Sequence, residues 1–207
     1  MLEIKEDVVH IFRAFWECGV HRGNWCGDTH ILYEFGTSPA TTDFRNIVTN
    51  DGDGGQHAEI KLIYILDNHI AQMVKCHQRK EIYLNMYMNR SPCYKCAFQL
   101  IRFKNYLYNK GYDIRITIKA AQPYMCKRIT CSSCVEGTSH SDGLRELNRN
   151  GIFVNAWVWA DWQFLAAYLN GLVRVCYDEK FPESGHGKRE SRSMADEAAQ
   201  EDFNALR

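Results

Sequence analysis

The stretch from Glu81 to Gln122 constrains the fold more than any other. Its first part, "EIYLNMYMN", alternates Ile82, Leu84, Met86 and Met88 with Tyr83, Asn85, Tyr87 and Asn89, which is the period of a strand. "PCYKCAFQLIRFKNYLYNKG" then reads as a helix, with proline at the start, where a missing N–H costs nothing, and glycine at the far end. "DIRITIKAAQ" returns to strand spacing and puts Ile114, Ile116 and Ile118 on one face. Strand, helix and strand in succession require a layered α/β arrangement, because each apolar sheet face and helix stripe must be buried against the other.

The flanks extend this pattern. "EDVVHIFRAFWE" places Val8, Ile11, Phe12 and Phe15 at helical spacing. "HILYEFG" and "FRNIVTN" read as an antiparallel strand pair joined by the turn-rich "GTSPATTD". After "DGDGG" comes a helix, "QHAEIKLIYILDNHIAQMVK", and beyond the central unit a helix "DGLRELNRNG", a strand "IFVNAWVWA" and a helix "DWQFLAAYLNGL". The expected fold is a single α/β domain, with a mixed five-stranded sheet flanked by helices on both faces. A chain of 207 residues, 45% of them apolar, can bury one substantial core but would crowd two. We place that domain at residues 1–179 and read 180–207 as a polar linker, "FPESGHGKRESRS", followed by a tail or terminal helix, "MADEAAQEDFNALR".

The 25 basic and 25 acidic residues cancel, so net charge alone suggests no polyanion partner. Their distribution is uneven: residues 61–128 hold 13 Lys and Arg against Asp67, Glu81 and Asp113. No apolar stretch reaches the roughly 18 residues of a membrane helix, and the first residues are too acidic for a secretory signal. The expected location is cytoplasm or nucleus, with secretion left open if a leader has been removed. Nine cysteines, an odd number, argue against complete internal pairing.

Cys93 and Cys96 lie one helical turn apart, directly behind Pro92. The positive end of the helix and its unpaired N–H groups lower thiol pKa values there, which favours metal binding. The spacing alone equally fits a redox pair or two small core residues. His57 and Glu59, in "GGQHAEIKL", open the preceding helix, and although residues i and i+2 cannot share a lateral face, they can share the space beyond a helix end. His-x-Glu followed by Pro-Cys-x-x-Cys is the signature of zinc-dependent nucleobase deaminases. His57, Cys93 and Cys96 would be the ligands, a fourth position would be left for water, and Glu59 would carry protons.

With this motif in place, the chain resembles the activation-induced deaminase/APOBEC family of polynucleotide cytidine deaminases, from about residue 8 to about residue 170. "THILYEF", "FRN", "HAE", "SPCYKCA" and "GLRELNRNGIFV" carry the likeness. The zinc motif is shared with free-nucleotide deaminases; "GLRELNRNG" and the aromatic helix after the fifth strand are more specific. The resemblance implies a cytidine-deaminase-like fold, zinc as cofactor, and conversion of cytosine to uracil in single-stranded DNA, with RNA left open. It also matches Asn46 to an asparagine that contacts the target nucleotide's sugar, and Thr29 to a threonine beside the target base. Tyr124, in "AAQPYMC", matches an aromatic residue that packs on the flipped base, and Ser91 of "SPC" is grouped with the substrate-binding residues.

Two features depart from the family. Arg90 stands where a tryptophan usually precedes the serine, so a cation replaces an aromatic wall and would stack on a base or bind a phosphate. "CKRITCSSCVEGTSHS" lengthens a loop, and its Cys126, Cys131 and Cys134 are candidates for a second metal site with His140, for a disulfide, or for neither. The alternatives are a free cytidine or dCMP deaminase, and a catalytically silent, zinc-stabilised nucleic-acid-binding protein.

Overall fold

The computed structural model of the chain describes residues 10–16, 18, 28–50, 55–73, 81–124, 139–172 and 186–206. They form α1 (residues 10–16), β1 (His30–Gly36), β2 (Phe44–Thr49), α2 (Ala58–Met73), β3 (Glu81–Met88) and α3 (Tyr94–Asn109). β4 (Asp113–Ala120), α4 (His140–Arg149), β5 (Phe153–Ala156), α5 (Trp159–Leu172) and α6 (His186–Asn204) complete the order.

The five strands make one sheet in the order β2-β1-β3-β4-β5. β1 pairs antiparallel with β2 and β3, whereas β3–β4 and β4–β5 are parallel. The short β1–β2 connection permits only a hairpin, and the helical crossovers α3 and α4 return the chain in the same direction. Register brings one end of every strand into line: His30 faces Thr49, Ile31 faces Met88, Met88 faces Ala120, and Ala120 faces Ala156. The candidate site lies along that end.

Alternation sorts the strand side chains to two faces. Ile31, Leu84, Met86, Ile116 and Ile118 pack under α2, α3 and α4 with Leu62, Leu66, Leu100 and Leu144. Leu32 and Ala121 pack on the opposite face with Phe12 and Phe15 of α1, Trp157, and Trp162 and Leu165 of α5. α3 and α4 end alike. Gly111 and Gly151 take positive φ values of 86° and 68°, and the next residues, Tyr112 and Ile152, donate back to Leu107 and Leu147. A side chain at either glycine would be strained.

Two boundaries differ from the sequence reading. β5 stops at Ala156 because the Asp161 carboxylate accepts the Val158 N–H at 2.8 Å and starts α5. The segment read as a linker is helical from His186, within a 19-residue helix. α6 packs against β5: Ala199 and Phe203 join the first core, while Arg192, fully buried, reaches the second. Arg192 donates to the carbonyls of Trp16, Cys18 and Ala121, pairs with Asp196, and lies over the Trp162 ring at 5.0 Å. A terminal helix is among the readings of "MADEAAQEDFNALR", but periodicity conceals its start at His186 because a buried position there, Arg192, is an arginine. Its docking also gives an outer strand of the sheet a neighbour.

Candidate metal centre

Two helix starts build the site. α2 begins at Ala58, so His57 precedes its first turn and Glu59 lies within it. Cys93 is the residue capping α3, in extended conformation with φ −71° and ψ 167°, and Cys96 follows in the first turn. The His57, Cys93 and Cys96 donor atoms all lie within 4.8 Å of one another, a group able to hold a metal ion. His57 Nδ1 is 3.6 Å from Cys93 Sγ and 3.2 Å from Cys96 Sγ. His57 is exposed, whereas both cysteines are buried.

The electrostatics of the two thiols differ. Cys93 is drawn down to about 4, first by the hydrogen bond from Cys96 and then by the one to His57. Cys96, the donor of that bond, is pushed upward. His57 is raised mainly because it bonds Cys93. Glu59 is 3% exposed, and burial, reinforced by the negative Cys93, pushes its carboxyl up to about 7. A carboxyl held there is equally ready to take or to give a proton at neutral pH.

Beside this group stands a second cluster. Arg90 is 9% exposed; its Nε donates to Thr29 Oγ1 at 2.9 Å and its guanidinium lies 5.2 Å from the Tyr124 ring centroid. Ser91 N–H donates to the Gln122 carbonyl at 2.8 Å, and Ser91 Oγ accepts the Tyr124 N–H at 2.9 Å. The "SPC" serine thus ties the end of β3 to the loop after β4. Thr29, Arg90, Ser91 and Tyr124, which the sequence proposed separately, are brought together here. Arg90 is near enough to His57 to oppose its protonation.

Asn46 is not brought to this cluster. It is exposed in the middle of β2, opposite Tyr33, and its side chain accepts the N–H of its neighbour Ile47 at 2.8 Å. Asn50, just past the end of β2, holds the nearer position: its Oδ1 accepts the Thr29 N–H at 2.7 Å. Asn89 is fully buried; it accepts the His30 N–H at 3.0 Å and donates to the Asp28 carbonyl at 2.9 Å, fixing Thr29 from the other side. His140, a candidate for a second metal site, caps α3. Its Nδ1 accepts the Tyr94 N–H at 3.0 Å, its ring packs 4.9 Å from Tyr124, and burial lowers its pKa. Cys126, Cys131 and Cys134 lie outside the described residues.

Asn89 adjoins the motif, and an asparagine directly after a strand was a signal for a strand-end tie. His140 gave no such signal, since a cap supplied from 46 residues away has no local pattern. Neither protein-family models nor curated proteins yield a match to this chain.

Proposed function

We propose that this chain is a zinc-dependent deaminase that hydrolyses cytosine to uracil in single-stranded DNA or RNA, after the manner of the activation-induced deaminase/APOBEC family. The observation that carries the reading is the convergence of one imidazole and two sulfurs on a point beside a buried carboxyl. A tetrahedral zinc with bonds of about 2.3 Å to sulfur and about 2.0 Å to nitrogen separates sulfur from nitrogen by about 3.5 Å. The separations of 3.6 and 3.2 Å fit that donor set. When bound, zinc makes water acidic enough to serve as a nucleophile near neutral pH.

The chain's own residues supply the remainder. Glu59 accepts a proton from the attacking water, delivers it to ring nitrogen N3, and passes the next to the departing amine, so that cytosine and water become uracil and ammonia. Tyr124 offers a ring for the target base to stack on, an interaction worth roughly 1–3 kcal/mol. Arg90 supplies a fixed cation and a planar face beside it. Thr29, held by Asn50 and Arg90, edges the same space.

The test is to incubate the protein with cytosine-bearing single-stranded oligonucleotides and to score uracil, with Glu59→Gln in parallel. Wild type converts cytosine; the variant retains stoichiometric zinc and oligonucleotide binding but loses turnover by about 10²-fold or more. Conversion of free dCMP alone would move the reading to a mononucleotide deaminase. Oligonucleotide binding without turnover in either protein would mark a zinc-stabilised binding protein.

A further inference from the structure

α3 carries Lys95, Arg102 and Lys104 and not one carboxylate, and Lys110 follows it directly. Lys104 is committed to the fold, since its Nζ donates to the Asn150 carbonyl at 2.6 Å. The others fall on one side. At about 100° per residue, Lys95, Gln99, Arg102 and Tyr106 lie within a band about 60° wide, and Lys110 continues it. All five are exposed. Lys110 Nζ lies 4.1 Å from the Tyr106 ring centroid, joining the last cation to an aromatic face.

The neighbouring helices leave this band basic. α4 flanks α3 where Gly143 meets Tyr94 and Ala97, and its Asp142 and Glu146 are paired with Arg145 and Arg149. On the α2 side Tyr64 is 61% exposed, and Asp67 acts on Lys110 at the far end. The band starts at Lys95, between the two cysteines, and runs about 22 Å along the helix.

Cations spaced along a groove-free helix, interleaved with an amide and exposed tyrosine rings, match a strand whose phosphates and unstacked bases are both accessible. We propose that the exposed side of α3 is a second contact for single-stranded nucleic acid, engaging the nucleotides that lead away from the metal centre. The inference rests on the polynucleotide reading above.

Fluorescence anisotropy with a short cytosine-bearing strand of about five nucleotides and a long one of about 25 tests it, across a salt series, for wild type and Arg102→Glu/Lys110→Glu. Circular dichroism checks that the variant is folded. Wild type is expected to bind the long strand at least tenfold more tightly than the short one. In the variant most of that gain is lost, and the salt slope for the long strand falls by about 1.4, two contacts at about 0.7 each. A variant that keeps the full gain overturns the proposal, as does competition by polyglutamate equal to that by nucleic acid. If wild type shows the gain but converts no cytosine, the deaminase reading fails and this surface stands. Conversion without any gain from length has the opposite meaning.

Discussion

Removing the Arg192 side chain should destabilise the protein far more than a change in so polar a helix ordinarily does. Arg192 is fully buried, and Arg192→Ala strips partners from three interior carbonyls, those of Trp16, Cys18 and Ala121, and from Asp196. Breaking a buried ion pair by deleting one partner costs about 3–5 kcal/mol, and each orphaned polar group adds about 1–3 kcal/mol where water cannot enter. Asp196 offsets part of this: burial already raises its pKa, so it can take up a proton, and it keeps the Trp162 Nε1–H at 2.8 Å. With the ion-pair cost largely offset in this way, the two buried carbonyls of Cys18 and Ala121 leave a net loss of about 2–6 kcal/mol, which at about 2–4 °C per kcal/mol for a chain of this size lowers Tm by about 4–24 °C. Arg192→Lys, which keeps the charge but not the planar fork, should recover part of the loss. Thermal denaturation followed by circular dichroism measures both. A drop smaller than about 3 °C for the alanine variant would mean that α6 does not hold the two cores as described.

Three further outcomes are expected. Gly143→Ala, which in an ordinary helix gains about 0.5–1 kcal/mol, should cost about 1–3 kcal/mol, read as a lower denaturation midpoint. The reason is that its Cβ would lie 2.9 Å from Tyr94 Cα and 3.2 Å from Ala97 Cβ, against the turn that carries the cysteines. Cys96→Ser should reduce the bound metal, zinc in the proposed reading, well below one ion per chain by elemental analysis, and an unchanged ratio would refute the donor set. His30 is held down to about 4, chiefly by burial, with His10 and Arg90 adding to the shift and Asp28 opposing it. Its neutral form is the folded one, so the stability it contributes is present above pH 6.5 and is lost as pH falls through 4. The loss is on the order of 3 kcal/mol, and His30→Gln should flatten that limb of the stability curve measured in urea.

What the sequence disclosed follows from the range of each interaction. Strand alternation and the Pro and Gly marks around α3 are local, and they located the sheet, its mixed character and the pair of cysteines. His57 and Glu59 became legible through their joint occurrence with those cysteines. Contacts set by register were not local. Matching "FRN" by its letters favoured Asn46, but the pairing of His30 with Thr49 carries Asn50 to the end of the sheet where Thr29 sits. The cap that His140 gives α3, and the insertion of Arg192 under Trp162, depend on chain segments far apart in sequence and break no local rule that would announce them. The sequence pattern likewise offered no reason to give Lys104 a task different from that of Lys95 or Arg102; only the carbonyl of Asn150 distinguishes it.

The bond from Arg192 to the Cys18 carbonyl spans 174 residues, which sets an order of events during synthesis. At about 5–20 residues per second, the partner of Cys18 emerges on the order of ten seconds or more after Cys18 itself. Late in that interval, once β5 has emerged, the sheet can pair while Trp16, Cys18 and Ala121 wait without the cation that will fasten them. A nascent chain is therefore most in need of protection on that flank, and a stall before Arg192 would leave a molecule with its strands paired but one side unlatched.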